Sequence, residues 1–402
     1  MPIGQRIAVY RRRRGLSQAK LANLVGRSEN WLSQIERGER PIQRLERIVE
    51  LARVLDVPVT ELIGGEPQPV RDRTEQHATV EHLRLALSGF DVLRLLVQPG
   101  HAEAVAEREL SGLREDVSRA WTLVHASRYT DLGPLLCSVL SIGEHGARSS
   151  TGVVRAEVLG LVAWTYQAVS AMMAKLGQTE LAWVAADRAV AAAEQAGMPL
   201  LAVAGVYRVS QAFVSGWRLS QAERAASSGA LGLVERLDDG HPEVVSLYGA
   251  LHLVRAIAAS RRGDAVIAWR AISEAETAAE RLGTDRNDLE TEFGPTNVQL
   301  HAVAVAVELG EAADALRRAD AVEVGGLSPE RQARFLIDVA RARGQRRDST
   351  GAVEALCRAA ALTTEQVRYH PLVRELVRDL LRRRRGIPDA DLDALALSVG
   401  VG

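Results

Sequence analysis

Apolar residues recur at spacings of three and four along almost the whole chain, the signature of helices with one buried face. In SENWLSQIERGERP, Ser28 to Pro41, Leu32 and Ile35 share one face at about 3.6 residues per turn, while Asn30, Ser33, Gln34 and Arg37 share the other. Just upstream, SQAKLANLVG lines up Leu21, Leu24 and Val25, with Ala22 small where another helix must come close. Gln5–Arg14 forms a first amphipathic helix, with Ile7 and Tyr10 on one side and arginines on the other. Ser17 and Ser28 are placed as N-caps, and Gly15, Gly26 and Gly38 as stops. A fourth helix is predicted from about Ile42 to Leu55 and a fifth near Val59–Ile63.

The second and third helices flank a three-residue turn containing Gly26, a glycine able to take positive φ, which makes a helix-turn-helix. The polar face of the third helix is left outward. Its amide, hydroxyl and guanidinium groups match the donors and acceptors of base edges in a DNA major groove, although a solvated surface face would look the same.

Beyond this module GGEPQPVRDRTEQ, Gly64 to Gln76, breaks the pattern and reads as a linker, bounded at 66–77 and expected to tether the head flexibly. Helices then follow one another over 78–400. Gly177 precedes Ala182 by five residues, Gly263 precedes Ala268 and Gly310 precedes Ala315, while Ala222 and Ala352 keep the alanine without the glycine. Such a register, with alanines 37 to 47 residues apart, suits stacked antiparallel helix pairs that bury their apolar stripes only against neighbours. VLGLVAWTYQAVSAMMA, Val158 to Ala174, is too short and too polar for a bilayer span and reads as a buried helix.

Length and composition agree with two all-α parts: 402 residues exceed one compact core, and only 4% are aromatic, which suits helices packed over small side chains. The net charge of −1 hides an asymmetry. Through Ile63 there are twelve Arg or Lys against seven Asp or Glu, a net of +5, which leaves the remainder near −6. A basic head on an acidic body fits a polyanion met by the head alone. Cys137 and Cys357 lack metal or redox spacing, the nine histidines form no ligand motif, and no phosphate loop, dinucleotide fingerprint or nucleophile elbow occurs. The sequence therefore predicts no enzyme, no metal and no cofactor. No charged-then-apolar leader opens it, so the expected location is cytoplasmic, away from membranes.

The first 65 residues resemble the XRE/lambda-repressor-like helix-turn-helix family, through LSQAKLANLVGRSENWLSQIERGERP and the spacing of Gln18, Ala22, Gly26, Leu32, Ile35, Glu36 and Gly38. The resemblance implies a domain over 1–65 that binds double-stranded DNA, with the third helix in the major groove and dimers on paired half-sites. It implies DNA contacts at Ser17, Gln18, Ser28, Glu29, Asn30, Ser33, Gln34, Arg37 and Arg40. Asn30 and Gln34 would pair with adenine, Gln18 would touch phosphate, and Arg37, Arg40 and part of the Arg11–Arg14 run would grip phosphate. Glu29 would accept from cytosine N4 or simply favour the helix N-terminus, and Trp31 would pack.

The body resembles the tetratricopeptide-repeat (TPR) class in stretched form, with TELAWVAADRAVAAAEQAG as its clearest second helix. Head and body together resemble the actinobacterial XRE-TPR transcriptional regulators. That implies a TPR-like α-solenoid that dimerises the protein and receives a peptide, small-molecule or protein effector. Arg208, His252, Asn297 and His301, with Tyr166, Gln211 and Arg255, are placed on first helices lining its concave side, Asn297 and His301 one turn apart. A different class of function also fits, a partner-binding scaffold whose head only localises it.

Overall fold

The two helices of the helix-turn-helix each start where a serine hydroxyl caps them. Ser17 Oγ accepts from the Lys20 N–H at 3.1 Å and Ser28 Oγ from the Trp31 N–H at 3.2 Å, opening α2 (Gln18–Leu24) and α3 (Glu29–Glu36). The computed structural model describes residues 3–40, 42, 45–55, 57, 62, 74–88, 107–384 and 389–401. With α1 (Ile3–Arg13) and α4 (Leu45–Leu55), the head closes over Ile7, Leu21, Leu32, Ile35, Leu51 and Leu55. Gly26 takes φ +61 in the turn, as expected. Leu24, by contrast, is 55% exposed, because Leu21 and Val25 already occupy the one buried stripe of this two-turn helix. The expected fifth helix lies almost wholly outside the described residues, as does most of the expected linker.

A helix begins before the predicted end of the linker. Helix α5 (Thr74–Ser88) includes the last residues of the predicted linker and buries Val80, Leu83 and Leu87. Six antiparallel pairs follow: α6 (Glu107–His125) with α7 (Tyr129–Ser149), α8 (Gly152–Lys175) with α9 (Thr179–Gln195), and α10 (Pro199–Ser215) with α11 (Leu219–Leu231). Then come α12 (Pro242–Arg262) with α13 (Ala265–Leu282), α14 (Pro295–Leu309) with α15 (Ala312–Ala319), and α16 (Pro329–Gln345) with α17 (Ser349–Leu362). Helices α18 (Thr364–Tyr369), α19 (Pro371–Arg383) and α20 (Ala390–Ser398) end the chain. Among the described residues there is no strand, only one isolated bridge between Arg286 and Phe293. The result is all-α, a helix-turn-helix followed by a repeated helical solenoid.

All six pairs turn in the same way. Ser127, Gly177, Trp217, Gly263, Gly310 and Arg347 each have positive φ. The next N–H reaches back five residues in every case: Arg128 to Leu123, Gln178 to Met173, Arg218 to Phe213, Asp264 to Ala259, Glu311 to Ala306 and Asp348 to Arg343. That is one closing bond of a Schellman turn, repeated. Five residues past each turn, Leu132, Ala182, Ala222, Ala268, Ala315 and Ala352 are fully buried where the second helix crosses the first. The alanine register thus marks real repeats, and Ser127, Trp217 and Arg347 bear the strain of φ between 54 and 64 at the three sites where glycine is missing.

The solenoid curls until its ends meet. Helix α6 touches α16, Lys175 pairs with Glu330, and Ser127 Oγ donates to Gln366 Oε1 at 3.0 Å. First helices face inward, and α8, buried around nearly its whole circumference, is one of them.

Candidate functional site

On the head, the outward face of α3 presents exposed Glu29 and Asn30 and half-buried Ser33 and Gln34, with exposed Arg37 and Arg40 beyond its end. Ser17 and Ser28 begin the two helices with their hydroxyls engaged as caps. Arg37 pairs with Glu39 at 3.0 Å, a solvated pair weak enough to exchange for another anion. Glu29 sits in the first turn of α3, where a carboxylate complements the helix dipole. Trp31 is half-buried against the head core, with the Arg27 guanidinium 5.7 Å from its ring centroid, so it packs.

Behind this face lies a buried ion pair. Arg11 forks onto Glu36, Nε to Oε1 at 2.6 Å and Nη2 to Oε2 at 2.9 Å, and Gln18 Nε2 donates to Glu36 Oε2 at 2.7 Å. That triad fixes α1, the start of α2 and the end of α3 in one arrangement, and leaves Gln18 a second N–H and its carbonyl oxygen. It also narrows the reading of the arginine run, in which the side chain of Arg13 lies outside the described residues. Arg11 serves Glu36 and the Leu16 carbonyl, Arg14 donates to the Val54 carbonyl at 2.6 Å, and Arg12, its Nε on the Ala8 carbonyl, extends its Nη atoms to the body.

Arg12 is the bolt between head and body. Its Nη1 donates to the carbonyls of Ser260 (3.1 Å) and Glu308 (2.6 Å), and its Nη2 to that of Arg261 (3.0 Å), at the C-terminal ends of α12 and α14. A guanidinium there adds donors to last-turn carbonyls, that of Ser260 also accepting from the Gly263 N–H, and meets the negative ends of two dipoles. The Glu308 carboxylate lies 4.0 Å away and is held by Arg261 at 3.1 Å and Arg341 at 3.2 Å. Burial lowers the Arg12 pKa to about 10 against the opposing pull of Glu308. Gln5 Nε2 adds a bond to the Trp217 carbonyl at 3.2 Å. The head is therefore docked through α1, where a flexible tether was expected. The sequence shows four adjacent arginines but not that successive helical positions point in four directions.

Inside the ring is a cavity of about 290 Å³. First helices supply its wall: Trp121 and His125 from α6, Lys175 from α8, Arg208 and Gln211 from α10, Arg261 from α12, Asn297 and His301 from α14, and Arg331, Arg334 and Asp338 from α16. Three of the four nominated ligand residues, Arg208, Asn297 and His301, line it. His252 does not: it is buried beside Tyr248, its ring 4.5 Å away, with Arg255 Nη1 at 3.2 Å from its Nδ1. It lies two positions, or about 200°, from the cavity-facing Val254. Burial and Arg255 push the His252 pKa down to about 4. Tyr166 and Arg255 are likewise absent from the wall.

One loop dominates the cavity's chemistry. Between Gly283 and Gly294, Leu289, Glu290 and Glu292 hold φ of 50, 57 and 48, each costing about 1–3 kcal/mol. What holds them is visible. His125 bridges Glu290 (2.6 Å) and Glu292 (3.0 Å), Arg286 clasps Asp288, and fully buried Phe293 fills the space over Gly249. Burial opposes charge on His125, but the two carboxylates win and raise its pKa to about 9. Glu292, half-buried, is held well below the usual carboxylate range by His125 and Arg331 against the cost of burial. His301 donates from Nδ1 to the Asn297 carbonyl at 2.9 Å, and burial together with Arg331 lowers its pKa to about 4.

Sequence reasoning missed Trp121, His125, Lys175, Glu290, Glu292, Glu330, Arg331 and Asp338. A signal existed in PERQARFLIDVARARGQ, where Arg331, Arg334 and Asp338 recur at spacings of three and four on an otherwise buried helix. For the loop carboxylates there was none. Among the described residues no group of three His, Cys, Asp or Glu side chains is placed to hold a metal ion, and no helix is long and apolar enough to cross a membrane.

Residues 2–62 match the helix-turn-helix domain family. The chain is also similar to the HTH-type transcriptional regulator SinR of Bacillus licheniformis, 36% identical over 73 residues, which is 18% of this chain and 61% of that protein. The match thus spans about three-fifths of the relative's length. The N-terminal module is a helix-turn-helix domain.

Proposed function

We propose that the protein is a cytoplasmic, sequence-specific DNA-binding transcriptional regulator. The observation that carries this is the capped helix-turn-helix whose α3 is braced from behind by Arg11–Glu36–Gln18 while Asn30, Ser33 and Gln34 stay outward. A rigid helix with free carboxamides is what direct readout in the major groove requires. Gln18, Arg37 and Arg40 hold phosphates around it, and docking through α1 leaves this face open. The relative, a transcriptional regulator by name, supports the same reading.

One such head reads few base pairs, so specificity requires two. The body, in this reading a TPR-like solenoid, dimerises the chain and receives an effector in its central cavity through Arg208, Asn297 and His301.

The test is selection of genomic fragments by the full-length protein, followed by footprinting and light scattering. The expected outcome is a dimer protecting a roughly palindromic site, with affinity falling steeply with salt. Binding without sequence preference, or a monomer both free and on DNA, would refute it.

A further inference from the structure

The cavity contains an unbalanced charge. Of the cationic side chains on its wall, Lys175 pairs with Glu330, Arg331 with Glu292, Arg334 with Asp338 and Arg261 with Glu308. Among the described residues no carboxylate lies within ion-pair distance of Arg208. Its guanidinium is only 5% exposed, donates to Gln211 Oε1 at 2.9 Å and to the Glu290 carbonyl at 2.7 Å, and has no partner for Nε. It stacks 4.9 Å from the centroid of the Trp121 ring, and the indole N–H of Trp121 is also unpartnered. Asn297, 2% exposed, spends its N–H on the Glu292 carbonyl at 2.7 Å and leaves Oδ1 unpartnered. Arg208 and Asn297 therefore grip the same strained loop two residues apart, each with unused capacity beside the cavity.

Buried polar groups without partners are costly, and a buried cation without a counter-charge more so. A ligand that corrects all three deficits brings an anion for Arg208 and Trp121 and a donor for Asn297 Oδ1. The remaining wall, with Val124, Ala171, Val254, Ile257, Leu300 and Phe335, asks for an apolar body. At about 290 Å³ the space is at the small end of the roughly 300–1,000 Å³ of small-molecule sites.

We propose that the cavity receives a small aromatic carboxylate bearing a hydroxyl or N–H donor, its carboxylate on Arg208 and its donor on Asn297. This rests on the reading of the body as the effector-receiving part, and it names the effector's chemistry.

The test uses full-length protein and matched probes: 4-hydroxyphenylacetate, indole-3-acetate and phenylacetate, each compared with its neutral amide and its amine by calorimetry and thermal shift. Carboxylates should bind and raise the melting temperature, with each amide weaker by roughly tenfold or more and each amine weaker still. Arg208→Gln should abolish the preference for carboxylate over amide. Trp121→Phe, which keeps the ring packing, should weaken the carboxylate alone. The carboxylate–amide comparison needs no variant and stands whether or not Arg208→Gln folds. Equal binding of amides, a preference for amines, or no shift from any carboxylate at millimolar concentration overturns the proposal. Operator binding by the ligand-free protein is measured alongside: a normal operator with no carboxylate binding sinks only this inference, whereas loss of sequence-specific DNA binding sinks the regulator reading first.

Discussion

Replacing Arg12 by alanine should release the head from the body without unfolding either. Three charge-assisted bonds from head to body disappear, to Ser260, Arg261 and Glu308 carbonyls at 3.1, 3.0 and 2.6 Å, along with one inside α1 to the Ala8 carbonyl. Hydrogen bonds to charged groups contribute about 1.5–3 kcal/mol each, but water entering the vacated space recovers part of that, and Glu308 keeps Arg261 and Arg341. A net loss of about 3–5 kcal/mol follows, comparable to removing one member of a buried pair. That is a shift of roughly a hundred- to a few-thousand-fold in the docked population. The head keeps its own core and its Arg11–Glu36 bond, so it should stay helical. Small-angle scattering should show a larger radius of gyration, and urea denaturation should split into two transitions. Arg12→Lys should fall between, because one ammonium cannot span three carbonyls as a planar fork does. A scattering profile that superimposes on wild type, with one cooperative transition, would refute the docking role of Arg12.

Four further outcomes follow from the geometry. Asn30→Ala or Gln34→Ala should leave the fold intact and cost about 1–3 kcal/mol of operator discrimination, read by competition footprinting; unchanged preference removes them from the reading face. Gly26→Val should destabilise the head by about 1–3 kcal/mol, since a β-branched residue at φ +61 is strained; normal circular dichroism and DNA binding would contradict that. Gly249→Ala should cost about 1–3 kcal/mol or more in denaturant, because the new Cβ would stand 1.9 Å from Phe293 Cζ and unseat the strained loop; a wild-type midpoint would show that the ring has room. His125, raised from its usual range near 6.5 to about 9, contributes stability that is full below the unfolded value and lost as pH climbs toward 9; His125→Gln should flatten the melting temperature in that window, and an unaltered slope would place the titration elsewhere.

Local signals were legible in the chain, and long-range ones were not. Caps at Ser17 and Ser28, the turn at Gly26 and the small Ala22 are decisions made within a few residues, so the sequence displays them. The repeat register worked for the same reason, with Ala182, Ala222, Ala268, Ala315 and Ala352 buried where five-residue spacing puts them. It would have gained a sixth copy had Ser127 and Leu132 been admitted, but serine and leucine there break the apparent Gly–Ala rule while obeying its geometry. Positive φ at Trp217 and Arg347 makes the same point: a turn imposed by helix pairing overrides the preference of the residue that occupies it.

The cavity resisted reading because its members come together only when the solenoid closes. Asn297 and His301 were visible as a one-turn pair, and both line the wall. His125 meets Glu290 and Glu292 across more than 160 residues, and Lys175 meets Glu330 across 155. No periodicity encodes such pairs, since each carboxylate looks locally like an ordinary solvated side chain. The same holds for Arg12, whose partners are main-chain carbonyls nearly 250 and 300 residues away and therefore carry no side-chain signature at all. Yet α12 and α14 join the two places: each lends side chains to the cavity wall and ends in the carbonyls that Arg12 holds. Head and cavity thus share two helices, and Arg12, a member of the run of which part was expected on phosphate, holds the ends of both.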